Sequence, residues 1–364
     1  MVKTPTIALL AALGGLQGAV AQRIGSSAVW VDAATCDPFA KSHGFPAAAG
    51  PGGLFTTALG ILDSTAISTL YRLYHPKTQS QKTLPANVLA WERYRLNSTY
   101  DALFGNNTAT KSGEAGVYDV VDAVWSVHFQ WGEPTNIDPY IFLVCDDAPY
   151  LRKNSNGTLT YTDPYQHASM ELSSDTFQIE KYNGPCATNG QSSYDTQNTD
   201  NWSQNVVLCT KNMNLPLGLT SKGQTTFASG TTIDVAGKSW LGALYSQALW
   251  SGGVVLNPTT HGFAASHALR NTKSSLFNAD SNKFFAFSFM LDGLFWGSGV
   301  GRTSQQEYAD LQKTAAGKAI IAAFGLTNIA VPARGINWVS GWEPPSMWSN
   351  PSQVPDYMEA IPTS

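Results

Sequence analysis

Apolar residues recur with helical spacing in four stretches of the chain and cluster with strand-like density in two more. Leu54 to Tyr74 carries Leu59, Leu62, Ile67, Leu70 and Leu73 among small residues, and Ala86 to Phe104 reads as a second helix. Asp63 and Ser64 are cap or turn residues that would mark a break near the middle of the first. Val117 to Phe129 is apolar and rich in aromatic side chains. It is followed by the strand-like Tyr140-Ile-Phe-Leu-Val-Cys145 and, further on, by Asn205-Val-Val-Leu-Cys-Thr210. In Trp240 to Leu249, residues Leu241, Leu244, Tyr245 and Ala248 fall at i, i+3, i+4 and i+7, one buried face of a helix. Gln305 to Phe324 is expected to be one helix, with Ala309, Leu311, Ala315, Ala319, Ile320 and Ala323 on its buried side.

The stretches between these elements differ in character. Residues 22–53 form a Gly/Ala/Pro-rich arm containing Cys36, and residues 153–204 are polar and turn-rich, which predicts a long insertion between the two strands. Beyond residue 326, the stretch Pro332 to Ser364 is rich in proline and carries Trp338, Trp342 and Trp348. It is expected to lie extended, its tryptophans packed on the core rather than forming a platform for sugars. No internal repeat is visible.

The helical segment at Trp240, followed by Asn278-Ala-Asp-Ser-Asn-Lys-Phe-Phe-Ala286, resembles the end of the catalytic region of deuterolysin-like (aspzincin) metallopeptidases. These are secreted fungal proteases related to lysine-specific metallo-endopeptidases. The resemblance covers Leu54 to Met290. It implies an α+β, zincin-like fold over residues 54–326, with a helix-rich N-terminal half, a small sheet and an active-site-type helix near 240–250. In that family a His-Glu-x-x-His helix and a following Asp hold one zinc, and a segment like Asn278, Ala279, Asp280, Phe285 and Ala286 packs below the site.

Two imidazoles one helical turn apart face the same ion, and the Glu between them takes a proton from the bound water. The family spacing puts Tyr245, Ser246 and Leu249 at those three positions. A phenol ligates only as phenolate, a leucine not at all, and a serine hydroxyl is too weakly basic to replace the carboxylate. No Asp or Glu occurs between Ser239 and Ala279, so the Asp ligand is missing as well. His261 and His267 are six residues apart, on different faces if helical, while His43, His75, His128 and His167 are scattered. The expected cofactor is therefore none, with zinc reserved for a rearranged site.

Export is expected on separate grounds. Lys3 precedes the apolar run Ile7 to Leu13, and Ala19-Val-Ala21 is a small-residue cleavage pattern, together reading as a signal peptide over residues 1–21. Asn97, Asn106, Asn156 and Asn201 head acceptor sequons for N-glycosylation. The four cysteines, Cys36, Cys145, Cys186 and Cys209, suggest two disulfides, of which three pairings are possible. The favoured arrangement has Cys36 tie the arm to the core and a second bridge close part of the insertion.

Only 13% of residues are charged, against a typical ~25%, so much of the surface is Ser, Thr, Asn and Gln, as suits an extracellular glycoprotein. Without Lys3, 21 of the 22 basic residues face 26 acidic ones, a net of −5, and no basic patch speaks for nucleic acid. No run is long and apolar enough to span a membrane.

Other catalytic patterns fail. Gly-x-Ser-x-Gly is absent, Gly297 to Gly301 has the wrong spacing for a dinucleotide loop, and Gly237-Lys-Ser239 lacks the upstream glycine of a phosphate loop. Adjacent Asp146 and Asp147 point to opposite faces if in a strand, and a turn explains them. Two functions are left. The first is a secreted zincin-like pseudoenzyme that binds an extracellular protein or glycan. The second is an active hydrolase, either a metallo-endopeptidase with a rearranged site or a carbohydrate-active enzyme using distant carboxylates.

Overall fold

The computed structural model describes residues 21–24, 29–74, 84–106, 116–131, 141–155, 158–162, 169–172, 185–187, 193–197, 204–213, 227–251, 261–339 and 341–344. Residues 1–20 of the stretch expected to be a signal peptide, His75, His167, Asn156, Asn201, Trp348 and most of the proline-rich tail lie outside them. The fold is α+β, with eleven α-helices among the described residues and a small mixed sheet.

The sheet has five strands in the order β1 (Ala21–Arg23), β2 (Val29–Asp32), β3 (Ile141–Val144), β8 (Gln204–Leu208) and β7 (Ser193–Gln197). Its centre is parallel: Val31 stands opposite Leu143, and Leu143 opposite Val206. Parallel strands covered on both sides carry apolar residues on both faces, and β3 is buried at all four positions. Val29, Val31, Ile141, Leu143, Val206 and Leu208 enter the main core, whereas Val144 and Val207 enter a small second core with Leu159, Tyr161 and Tyr194. The antiparallel sheet of β4 (Leu151–Lys153), β5 (Leu159–Thr162) and β6 (Ser169–Leu172) contributes Leu159 and Tyr161 to that second core.

Two stretches without expected elements supply strands as well. The supposed arm supplies β1, β2 and α1 (Ala33–Ser42), and Val29 and Val31 are fully buried. The supposed insertion supplies β5, β6 and β7. Its Leu-Thr-Tyr-Thr alternation at Leu159 was a strand signal hidden among turn residues. Two disulfides join the layers: Cys36 of α1 is bonded to Cys145 at the end of β3, and Cys186 to Cys209 at the end of β8.

The helical layer is built on α2 (Leu54–Tyr74), α3 (Ala86–Leu103) and α4 (Val117–Trp131). Helix α2 runs unbroken through Asp63 and Ser64, because Leu59, Leu62, Ala66, Leu70 and Leu73 keep one face buried throughout. Then come α5 (Asp234–Gly237), α6 (Trp240–Ser251), α7 (Phe263–Ala268), α8 (Lys273–Leu276) and α9 (Ala279–Met290). Among the described residues no helix is long and apolar enough to cross a membrane.

The helix expected over Gln305 to Phe324 is in fact two, α10 (Ser304–Leu311) and α11 (Ala315–Phe324). Thr303 opens α10 with a capping box, its Oγ1 accepting from Gln306 N at 3.2 Å while Gln306 Oε1 accepts from Thr303 N at 2.9 Å. Thr314 starts the second helix by accepting from Gly317 N at 2.9 Å, and a Cβ at Gly317 would lie 2.0 Å from the Leu311 carbonyl. The break turns the surface over: Ala309, Ala315 and Ala323, expected to be buried, are exposed, and Phe324 is the side chain α11 buries.

Candidate functional site

Helix α6 packs against α4 and α9, and that packing determines what its motif positions can do. Tyr245 and Leu249 have no exposed surface, and Ser246 is half-buried. The Tyr245 ring meets Phe287 of α9 edge-on, with centroids 5.6 Å apart. Its hydroxyl has no hydrogen-bond partner, and burial raises its pKa far above the ordinary tyrosine value. Without a metal this phenol stays protonated through the ordinary pH range, and Leu249 one turn on offers no ligand. These positions therefore do not fit a zinc centre. Residues 252–260, outside the described set, contain no His, Cys, Asp or Glu. Among the described residues no three such side chains are grouped to hold an ion.

The unpartnered hydroxyl has a consequence for stability. A buried polar group without a partner carries its desolvation penalty uncompensated. Tyr245→Phe is expected to leave stability unchanged or raise it by about 1 kcal/mol in urea unfolding. A loss of that size would reveal a partner for the hydroxyl.

The Asn278 to Ala286 segment has a structural task. Asn278 caps α9, its Oδ1 accepting from Ser281 N at 2.8 Å, and Asn282 Nδ2 donates to Leu276 O at 2.8 Å. Asp280 accepts from Gly262 N at 2.6 Å and from Lys283 Nζ at 2.6 Å. Burial alone would raise the Asp280 carboxyl, but Lys283 and the Gly262 amide hold it below the usual aspartate range. Asp234 of α5 accepts from Phe263 N at 2.9 Å, so the two carboxylates fasten the Gly262–Phe263 turn between α5 and α9. Gly262 adopts φ 89° there. Ala279 is buried, and Phe285 and Ala286 lie deep in the core, Phe285 beside Tyr100 and Phe104.

The histidines are held apart. His261 is 77% exposed with Nδ1 4.0 Å from Asp280 Oδ2, whereas His267 Nδ1 donates to the Ala102 carbonyl at 2.7 Å and its ring stacks on Phe263. His128 Nδ1 is 2.6 Å from Asp63 Oδ1 across α2 and α4, and His43 Nδ1 is 2.7 Å from the Phe39 carbonyl. Asp146 and Asp147 also divide: Asp146 pairs with exposed Lys211 at 3.2 Å, and buried Asp147 accepts from Cys186 N at 3.1 Å and Tyr194 OH at 3.2 Å.

Asn97 is a correction among the sequons. It lies fully buried inside α3 with Nδ2 donating to the Arg93 carbonyl at 2.9 Å, which leaves no room for a glycan. Asn106 is half-buried in the turn after α3 and keeps part of its surface. Of the tail tryptophans, Trp338 and Trp342 meet Tyr71 edge-on at 4.9 and 5.2 Å, a packing contact with α2.

Two features had gone unrecognised in the sequence. The first is a buried charge network: Glu92 joins Arg72 at 3.4 Å and Arg95 at 3.3 Å, and Arg72 reaches Asp292 at 3.3 Å. Only the Glu92–Arg95 spacing is local, so no pattern points to Arg72 or Asp292. The second is the acidic pair Asp119 and Asp122 on α4. Burial, reinforced by Asp122 and opposed by Lys273, raises Asp119 to about 6. Asp119 thus binds its proton more tightly folded than unfolded, so its charge weakens the fold as pH rises through about 6. Asp119→Asn is expected to raise the melting temperature at pH 7 and leave it unchanged below pH 4, the ordinary aspartate range, measured by circular dichroism.

Comparison with protein-family models, with curated proteins and with solved structures finds no match for the chain.

Proposed function

We propose that the chain is an exported glycoprotein with a zincin-like domain that lacks catalytic zinc and acts by binding an extracellular protein or glycan. The observation that carries this is the complete burial of Tyr245 and Leu249, with Tyr245 edge-on to Phe287 of α9, at the positions where two histidines would otherwise face an ion. Apolar packing fills the place of the metal, and Asn278, Asp280 and Phe285 keep the scaffold below it in shape. The two disulfides support an oxidising destination, and Asn106 has accessible surface for a glycan.

Turnover of casein and of a polysaccharide panel, each with and without a chelator, tests the loss of catalysis. No turnover is expected on either panel. Chelator-sensitive casein cleavage would establish a rearranged metallopeptidase, and chelator-insensitive polysaccharide cleavage a carbohydrate-active hydrolase.

A further inference from the structure

β1 is the outermost strand of the five-stranded sheet, and it holds the residue that export would leave at the N-terminus. Cleavage at the small-residue pattern Ala19-Val-Ala21 removes Ala21 from its place opposite Asp32 and makes Gln22 the first residue of the strand. Gln22 stands directly opposite Val31, and opposite residues of an antiparallel pair share a face of the sheet. Val31 has no exposed surface and belongs to the main core, as does Ile24, two residues on from Gln22 and on the same face. Gln22 is therefore half-buried at the rim of that core.

A new α-amino group at this position is an ammonium near neutrality. Asp32, the carboxylate at the end of β2, is fully buried and committed to α1. It accepts from Ala34 N at 3.1 Å, Thr35 N at 3.2 Å, Thr35 Oγ1 at 2.6 Å and Tyr150 OH at 2.7 Å. A charge set on the rim of an apolar core without a partner costs desolvation energy. Glutamine at a free N-terminus carries its own means of removing that charge. The lone pair of the α-nitrogen attacks Cδ of the side-chain carboxamide, the new N–Cδ bond forms and the Cδ–Nε2 bond breaks. Ammonia leaves with a proton from the α-nitrogen, and a neutral five-membered lactam remains. No co-reactant is consumed, and the Gln22 main-chain carbonyl and the pairing of Arg23 with Trp30 are untouched.

We infer that Gln22, once freed by cleavage, is modified to pyroglutamate, which lays a neutral ring instead of a charged amine on the rim of the main core. This rests on the reading of the chain as exported.

Mass spectrometry of the full chain, expressed in a eukaryotic secretory host and treated with an amine-reactive label before digestion, tests the inference. The N-terminal peptide of the secreted chain is expected to begin at residue 22, to be lighter by one ammonia than its glutamine form and to carry no label on its α-nitrogen. A labelled peptide beginning at an intact Gln22 would overturn the inference and leave export standing. No secreted chain, or one that begins elsewhere, would overturn the cleavage reading and the inference with it. Gln22→Ser, which cannot cyclise, gives a second readout. It should be secreted with a labelled amine and melt at a lower temperature at pH 7, with the difference shrinking as pH rises above about 8, where an α-amino group loses its charge. Equal melting temperatures for the two chains at pH 7 would show that the rim tolerates the charge and remove the structural ground for the inference.

Discussion

Glu92→Gln destabilises the chain by about 3–5 kcal/mol, the range for removing one partner from a buried ion pair. Glu92 is fully buried and is the only carboxylate in the network bonded to two guanidinium groups, Arg72 at 3.4 Å and Arg95 at 3.3 Å. Glutamine keeps the shape but removes the charge, leaving Arg72, Arg95 and Arg334 with Asp292 alone. Burial by itself would raise the Glu92 carboxyl, yet Arg95, Arg72 and Arg334 together hold it below the ordinary glutamate range. Its charge therefore stabilises the fold fully above that range, and the contribution is lost as pH falls through the depressed folded value. Urea unfolding near neutrality measures the loss, and the double variant with Arg72→Met should cost less than the sum of the two single ones. A Glu92→Gln protein within about 1 kcal/mol of the original would mean that water already solvates the network.

Breaking the Cys36–Cys145 disulfide has an effect of similar size. It spans 109 residues and joins α1 to the end of β3. On the chain-entropy account, a loop of that length stabilises by about 4.8 kcal/mol, against about 3.4 kcal/mol for the 23-residue span of Cys186–Cys209. Both Cys36 and Cys145 are buried, so alanine is the appropriate replacement, avoiding a new polar group in the core. The Cys36→Ala/Cys145→Ala chain should unfold at lower urea than Cys186→Ala/Cys209→Ala, and the reverse order would show that unfolded-state loop length does not govern the difference.

Elements fixed by local periodicity could be read from the residues alone. Leu54 to Tyr74 and the Trp240 helix were legible because their buried faces repeat at helical spacing, and both form within a residue or two of that pattern. The strands of β3 and β8 were legible as short apolar runs, but not their parallel pairing with β2, since Val31 meets Leu143 across more than a hundred residues. The Gly/Ala/Pro content around Cys36 concealed Val29-Trp-Val-Asp32, which pairs with neighbouring β1 on one edge and with distant β3 on the other. At Gln305 to Phe324, alanines gave a helical pattern regardless of which face is buried, while Thr314 and Gly317 carried the unread stop and restart. Within the candidate site, the lack of ligands at Tyr245, Ser246 and Leu249 was visible in the sequence. The burial of these positions depends on Phe287 and α4, which lie elsewhere in the chain.

Metal analysis of the purified chain, produced in zinc-supplemented medium and desalted without chelator, is decisive for the proposal that the chain holds no catalytic zinc. Zinc well below one ion per chain is expected, with a melting temperature that does not change on adding zinc. One ion per chain, removed by chelator and lost on substituting residues of α6 or α9, would contradict it.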